Sequence, residues 1–150
     1  MLFLALAIAA SCEQHDIVVY GGTVCGVTAT VAAHRTDPAL KIVWLVNGTR
    51  LGGMTSGGLG GLDAGMPIGG LAKELIAQLT HNFEPHVGEA AVESRLGTAN
   101  SSQVRLHRSV GEMVRVATRG TAPRTIASIS LASGLTVCGS HFIDCSYEGD

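Results

Sequence analysis

Aromatic residues are scarce in this sequence of 150 residues, which contains three Phe, two Tyr and one Trp. Proteins that bind single-stranded nucleic acids stack bases on aromatic side chains, so a stacking surface of that kind is not expected here. Charged residues are also few, the formal net charge is −2, and no run of Lys or Arg occurs. Because clustered cations are needed to neutralise phosphate backbones, the sequence indicates no nucleic-acid partner.

The sequence also lacks the common patterns of metal-ligating residues and of catalytic nucleophiles. The four cysteines, Cys12, Cys25, Cys138 and Cys145, form no Cys-x-x-Cys pair, and the six histidines are scattered. Tetrahedral metal sites require clustered ligands, so no metal is expected, and we expect the cysteines to be buried or incidental thiols. No Ser/His/Asp or Cys/His arrangement stands out, and the catalytic residues are therefore left unassigned.

No apolar run is long enough to span a bilayer. In residues 1–12 a short apolar stretch is followed by small residues and Cys12, a pattern that resembles a secretory signal peptide or a lipoprotein acceptor. No Lys or Arg precedes this stretch, so a buried or frayed leading segment is the alternative. The first interpretation implies a secreted or periplasmic protein, anchored to a membrane only if Cys12 is lipidated, and the second a cytoplasmic one.

Glycine, by contrast, is abundant, and 13 of the 20 glycines lie between residues 21 and 70. They are not spread as in a flexible linker, which indicates that backbone in this region approaches another group closely. The chain has the length of one domain, and 46% of its residues are hydrophobic. That is enough to bury a sizeable core.

The first third of the chain predicts a βαβ unit. Residues 16–20 are apolar, β-branched and closed by glycine, as in a buried strand. Residues 24–35, rich in Ala and Val, predict a helix that ends at Thr-Asp-Pro, and residues 41–46 predict a second apolar strand. Parallel pairing of these strands requires a right-handed crossover, and their unbroken apolar runs favour a sheet covered on both faces.

The rest of the chain changes from helical to β character. A glycine-rich loop is expected over 51–70, followed by an amphipathic helix over 71–83 and another helix over 86–96. Short β segments separated by turn signals are predicted at 104–107, 112–118, 125–131 and 135–146. We therefore predict an α/β fold in which a parallel sheet carries a small antiparallel β-meander.

The turn after the first strand carries the strongest chemical signal. In a dinucleotide-binding turn the first glycine allows the tight bend, the second lets pyrophosphate approach and the third lets helix and strand pack closely. Gly21 and Gly26 occupy the first and third places, whereas Thr23, with Gly22 beside it, occupies the second. A helix N-terminus here would attract phosphate, and the Thr23 hydroxyl offers a further donor. An ordinary tight βα turn is the alternative.

Polar and glycine residues follow the second predicted strand. Asn47 stands where the dinucleotide fingerprint expects an acidic residue that binds ribose hydroxyls. Arg50 and the pair Gly52-Gly53 would place a cation and two unhindered amides near the same pyrophosphate. The alternative for this segment is a flexible solvent loop.

Five segments occur in one order: VVYGGTVCGVTATVAA, RLGGMTSGGLGGLD, IGGLAKEL, FEPHV and FIDCSYEGD. Together they resemble the N-terminal part of the FAD-dependent oxidoreductase family that includes xanthan-lyase-like proteins. Members of that family show a GGTPAG-type turn, an LGGMTSGGLG loop and an IDATYEGD segment, so Thr23 is the family's own variant. The resemblance covers residues 16–150. Val24-Cys25 departs from the family's Pro-Ala, and Asn47 from its glutamate.

The resemblance implies a Rossmann-like, glutathione-reductase-like FAD-binding fold with strand order 104–107, 41–46, 16–20 and 141–145. It assigns residues 13–150 to the N-terminal part of an FAD-binding domain, and places Asp144 and Tyr147 near the cofactor. The residues it implies as FAD contacts are Gly21, Gly22, Thr23, Gly26, Asn47, Arg50, Gly52, Gly53, Met54, Thr55, Ser56 and Ser146.

The implied function is the FAD-binding portion of a flavin-dependent oxidoreductase that acts on a small molecule of unassigned identity. Because family members continue for several hundred residues, we interpret the chain as a fragment. One alternative is a truncated, non-catalytic nucleotide-binding or interaction fragment that self-associates through an incomplete sheet. Another is an NAD(P)-binding Rossmann domain, which does not explain the loop at 51–70 or the terminal SYEGD.

Overall fold

The computed structural model describes residues 12–61, 68–79, 83–99 and 101–149. Its elements alternate between strand and helix in the first half and are mainly strands in the second. They are β1 (Glu13–Tyr20), α1 (Val24–Thr36), β2 (Ile42–Leu45), a 3-10 turn (Gly53–Thr55), α2 (Gly70–Ile76), α3 (Pro85–Gly97), β3 (Val104–His107), β4 (Met113–Arg119), β5 (Thr125–Leu131) and β6 (Thr136–Asp144).

The six strands form one mixed sheet in the order β3-β2-β1-β6-β5-β4. β3, β2, β1 and β6 are parallel, with Val19 of β1 opposite Trp44 on one side and Ile143 on the other. β6, β5 and β4 continue the sheet as an antiparallel meander. The α/β class, the parallel strand order and the meander are confirmed. The carboxyl ends of β1, β2 and β6 therefore share one edge, where α/β folds place ligands.

Side-chain alternation in the central strands divides the core between the two faces of the sheet. Val19 and Trp44 pack with residues of all three helices on one face. Val18 and Leu45 pack with Val137 and other residues of the meander on the opposite face. All four residues of β2 are buried, as expected for a strand covered on both sides.

Capping residues mark both ends of helix α1. Thr23 is its N-cap, and the threonine hydroxyl accepts a hydrogen bond of 3.2 Å from the amide of Cys25. Asp37 caps the other end, and Pro38 follows it. Glu74 of α2 accepts hydrogen bonds from Arg35 of α1 and Arg95 of α3, which ties the three helices together. These bonds, chiefly the one from Arg35, lower the pKa of the Glu74 carboxyl.

Three local predictions differ from the structure. Strand β1, predicted over 16–20, begins three residues earlier, at Glu13. The helix predicted over 71–83 is shorter, since α2 ends at Ile76. The chain then turns through residues 77–79, where the amide of Ala77 still donates to the carbonyl of Lys73 but the next two amides donate to carbonyls three residues earlier. Residues 80–82 and the loop residues 62–67 lie outside the described ones. The predicted loop at 51–70 includes a regular element, the 3-10 turn, because Gly52 adopts a φ of +100° and reverses the chain before it.

The expectation that all four cysteines are thiols is wrong for two of them. Cys12 and Cys138 form a disulfide with a Cα–Cα distance of 5.6 Å. The parallel register explains the pairing, because Cys138 lies opposite Gln14 in β1 and Cys12 immediately precedes that strand. Because the sulfur of Cys12 belongs to this disulfide, it is not available for lipidation.

The outer strand of the meander presents apolar side chains to solvent. Val114 and Val116 of β4 and Ile126 of β5 are at least 40% exposed. An edge strand with such side chains can pair with another chain, and self-association stays a prediction. Within the part of the chain described by the structure, every helix is too short or too polar to cross a membrane.

Candidate functional site

The turn between β1 and α1 is built on glycines that no other residue can replace without overlap. Gly21 has a φ of +110°, and a Cβ on it would overlap the carbonyl of Cys145 and lie 2.5 Å from the nitrogen of Ser146. A Cβ on Gly26 would lie 2.5 Å from the Gly21 oxygen and 2.6 Å from Nε1 of Trp44. These contacts support the roles predicted from position, a tight bend at Gly21 and close helix–strand packing at Gly26.

Trp44, which no sequence motif marks as a site residue, supports the turn. Its side chain is fully buried, and its Nε1 donates a hydrogen bond of 2.8 Å to the carbonyl oxygen of Gly21. A buried indole N–H almost always has a partner. The signal available in the sequence was a lone Trp in an apolar strand, which predicts burial but not the acceptor.

Thr23 organises the turn with the hydroxyl that was expected to reach a phosphate. Its Oγ1 donates a hydrogen bond of 2.8 Å to the carbonyl oxygen of Cys145 and accepts the amide of Cys25. A hydroxyl has one proton to donate, so the Thr23 side chain has no donor left for phosphate in this structure. Thr23 would favour an anion instead through the helix N-terminus that it caps.

The two glycine segments meet directly. The amide of Gly52 donates a hydrogen bond of 2.7 Å to the carbonyl of Gly22, and Thr23 and Gly52 form a parallel β-bridge. A Cβ on Gly22 would lie 2.7 Å from the Val46 side chain and 3.3 Å from the carbonyl oxygen of Arg50. Segments separated by about 30 residues in sequence therefore lie against each other at the carboxyl edge of the sheet.

The three loop residues after Gly53 differ in how far they are buried. Met54 is 60% exposed, and Thr55 is partly buried. Ser56 is fully buried, and its hydroxyl donates to the carbonyl of Leu51. Of these three predicted contacts, Ser56 shapes the loop from inside and does not face the open edge.

The segment that follows β6 also contributes to this region. The phenol oxygen of Tyr147 accepts a hydrogen bond of 2.7 Å from the amide of Met54, and a Cβ on Gly53 would overlap it. Ser146 is half-buried, its amide donates to a carboxylate oxygen of Asp144, and its hydroxyl accepts the amide of Gly149. Tyr147 thus links the segment after β6 to the glycine loop.

Asn47 and Arg50 both lie on the surface after β2. The Oδ1 of Asn47 accepts a hydrogen bond of 3.1 Å from the next amide, that of Gly48, while the side-chain NH₂ is the group left to donate. Arg50 is a cationic residue whose backbone carbonyl oxygen lies next to Gly22 of the turn. The first turn of α1 contains no acidic residue that would repel an anion.

This arrangement suits a diphosphate. A thirteen-residue helix begins at the turn with its amides and positive dipole end facing the edge of the sheet. Glycines keep the backbone free of side chains on two converging segments, and the exposed residue Arg50 has its backbone carbonyl next to Gly22. A Cβ at Gly21, Gly22 or Gly26 would overlap other atoms of the protein. Glycine at these positions therefore allows the backbone amides of the turn to lie where they do.

Comparison with known proteins identifies a family and a shared fold. The model of a family described as FAD dependent oxidoreductase matches residues 16–150. A search of curated proteins finds no match.

Several solved structures resemble the chain in fold at low sequence identity. THI4 of Thermovibrio ammonificans superposes with a TM-score of 0.57 at 9% identity, over 87% of this chain and 57% of that one. Cyclohexanone monooxygenase from Rhodococcus sp. Phi1, bound to NADP+, gives 0.59 at 16% identity, over 89% and 26%. L-proline dehydrogenase from P. horikoshii gives 0.52 at 13%, over 89% and 22%. The chain thus spans less than two thirds of each of these proteins.

Proposed function

Because the chain belongs to the FAD dependent oxidoreductase family, we propose that it is the FAD-binding portion of a flavin-dependent oxidoreductase. The observation that carries the proposal is the hydrogen bond between the Gly52 amide and the Gly22 carbonyl. It joins the turn and the glycine loop, so amides of both segments can address one diphosphate group. Segments facing apart would have left no common site.

Residues of the proposed site divide by the part of FAD that they would hold. The turn at Gly21–Gly26, the amide of Gly53 and Arg50 would bind the pyrophosphate, while Gly52 holds the two segments together through its bond to Gly22. Asn47, at the end of β2, would bind a ribose hydroxyl through its amide, more weakly than a carboxylate would. A bound flavin supplies hydride-transfer chemistry, whereas this chain orients the cofactor and balances its charge.

Titration with FAD tests the proposal directly. We expect the purified chain to bind FAD and to become more resistant to heat as FAD is added. An Arg50→Ala variant should bind FAD about 10-fold or more weakly, because a charge-assisted bond to phosphate is worth roughly 1.5–3 kcal/mol. Flavin fluorescence and calorimetry at two salt concentrations measure the loss, which should shrink at high salt.

Lys41→Ala is the matched control, since Lys41 is also an exposed cation and lies just before β2, at the opposite end of that strand from Arg50. It removes the same charge and should change FAD affinity less than twofold. ADP, which carries a diphosphate without a flavin, should compete with FAD. Absence of FAD binding by the wild-type chain would refute the proposal, and equal losses in the two variants would remove Arg50 from the site.

We propose further that the protein acts in an oxidising compartment, to which a signal segment cleaved before Cys12 would export it. The Cys12–Cys138 disulfide supports this, because such bonds persist outside the reducing cytosol. In native cells quenched with an alkylating reagent, we expect Cys12 and Cys138 to be protected from alkylation. Complete alkylation of both would place the protein in a reducing compartment.

A further inference from the structure

A second pair of cysteines lies beside the turn. Cys25 is in the first turn of α1 and is exposed, whereas Cys145 follows β6 and is buried. Their sulfur atoms are 2.7 Å apart, although the residues are 120 positions apart in sequence. Both are free, and no role in binding FAD has been given to either thiol.

The backbone around the two thiols holds them together. Thr23 donates its hydroxyl proton to the carbonyl of Cys145, and the Cys145 amide donates a bond of 2.6 Å to the carbonyl of Tyr20. Gly21 lets the Cys145 backbone lie directly against the turn. Since the sulfur atoms of a disulfide are about 2.05 Å apart, bond formation requires them to approach by less than 1 Å.

We propose that Cys25 and Cys145 are a thiol–disulfide exchange site that forms a second, reversible disulfide by reaction with small-molecule disulfides. The bond would join the first turn of α1 covalently to the end of β6. This inference goes beyond FAD binding and does not require it, because both thiols belong to the folded chain itself.

The surroundings of the two sulfurs set the order of the reaction. Burial raises the pKa of the Cys145 thiol to about 12, with the Cys25 hydrogen bond and the nearby Asp144 carboxylate adding to the effect. Cys145 is therefore protonated at neutral pH, and the exposed Cys25 attacks first. Its thiolate attacks one sulfur of the small disulfide, whose other half leaves as a thiolate.

The second step closes the bond and balances the reaction. Cys145 attacks the Cys25 sulfur of the mixed disulfide and gives its proton to the departing thiolate. The two cysteines lose two hydrogens in all, and the small disulfide is reduced to two thiols. Excess small thiol reverses both steps.

Glutathione disulfide is the probe for the test, and peptide mass mapping without reduction is the readout. In the wild-type chain we expect a peptide pair joined through Cys25 and Cys145, lighter by two hydrogens than the separate peptides, and its loss when reduced glutathione is added in excess. A Cys145→Ser variant should stop at the mixed disulfide and keep one glutathione on Cys25. A Cys25→Ser variant should leave Cys145 unmodified.

Thermal unfolding provides a second test, which does not require the Cys145→Ser variant to fold. The existing disulfide shortens the loop that the new bond closes to about 20 residues, so oxidation should raise the Tm of the wild-type chain by roughly 5–10 °C and leave that of Cys25→Ser unchanged. A wild-type chain that accumulates glutathione on Cys25 without the cross-linked peptide overturns the proposal. So does a chain that stays unmodified. Neither result touches FAD binding, which is measured separately.

Discussion

A Gly21→Ala variant should lose about 4 kcal/mol or more of folding free energy and fail to bind FAD. The alanine would have to adopt a φ of +110°, which L side chains rarely do, and its Cβ would overlap the Cys145 carbonyl. The obstructing atoms are backbone, fixed by the Tyr20 carbonyl that accepts the Cys145 amide, so they cannot rotate aside. Domains of this size are stable by about 5–15 kcal/mol, so such a loss removes from about a quarter to most of that stability.

Gly48→Ala is the control for Gly21→Ala. A Cβ on Gly48 would meet nothing within 4 Å, and that glycine does not lie in the left-handed region. We expect its stability to stay within about 0.5 kcal/mol of wild type. Gly22→Ala should fall between the two, since its Cβ meets chiefly the Val46 side chain. Urea unfolding with a shared m-value gives the order, and equal effects at Gly21 and Gly48 would contradict the packing described for the turn.

Loss of the Cys12–Cys138 disulfide is the second change with a large expected effect. The bond closes a loop with a sequence separation of 126, and cross-links over such distances restrict the unfolded chain by an amount worth about 4–5 kcal/mol. Replacing both cysteines by serine should therefore lower the Tm by roughly 10 °C or more. Differential scanning calorimetry measures the shift.

The comparison is made in chains that also carry Cys25→Ser, so that a second bond cannot form. In that background a reducing agent should lower the Tm of the chain that has the Cys12–Cys138 bond and leave the double serine variant unchanged. A Tm that does not respond to reduction in the disulfide-bonded chain would show that the bond contributes nothing to stability.

The turn and the central strands could be predicted from local patterns. Each strand of the βαβ unit is an apolar run closed by glycine or polar residues, and α1 has its N-cap and its terminating proline in sequence. The strand order required more than pattern, because every strand of a sheet buried on both faces looks alike. Resemblance to the family supplied that order, and the sheet topology confirms it.

Individual side chains of the site were harder to assign than the segments that contain them. Thr23 was predicted at the turn, yet its hydroxyl proton is donated to Cys145, far away in sequence. Ser56 lies in a predicted binding loop, yet the hydroxyl of this buried residue donates within the loop. Both outcomes depend on the positions of carbonyl groups that come close to these hydroxyls only in the folded chain. Composition and residue spacing do not specify those positions.

By itself the sequence determined where the apolar strands β1 and β2 end, where glycines leave the backbone without side chains, and that the turn after β1 is the candidate ligand site. Local preferences are sufficient for this, since a strand, a cap or a tight turn depends on neighbouring residues. Only the tertiary structure decided that Trp44 supports the turn, that Cys12 bonds to Cys138, and that Cys25 meets Cys145. Those contacts arise when parallel strands align in register, because pairing brings together residues that chain order keeps apart.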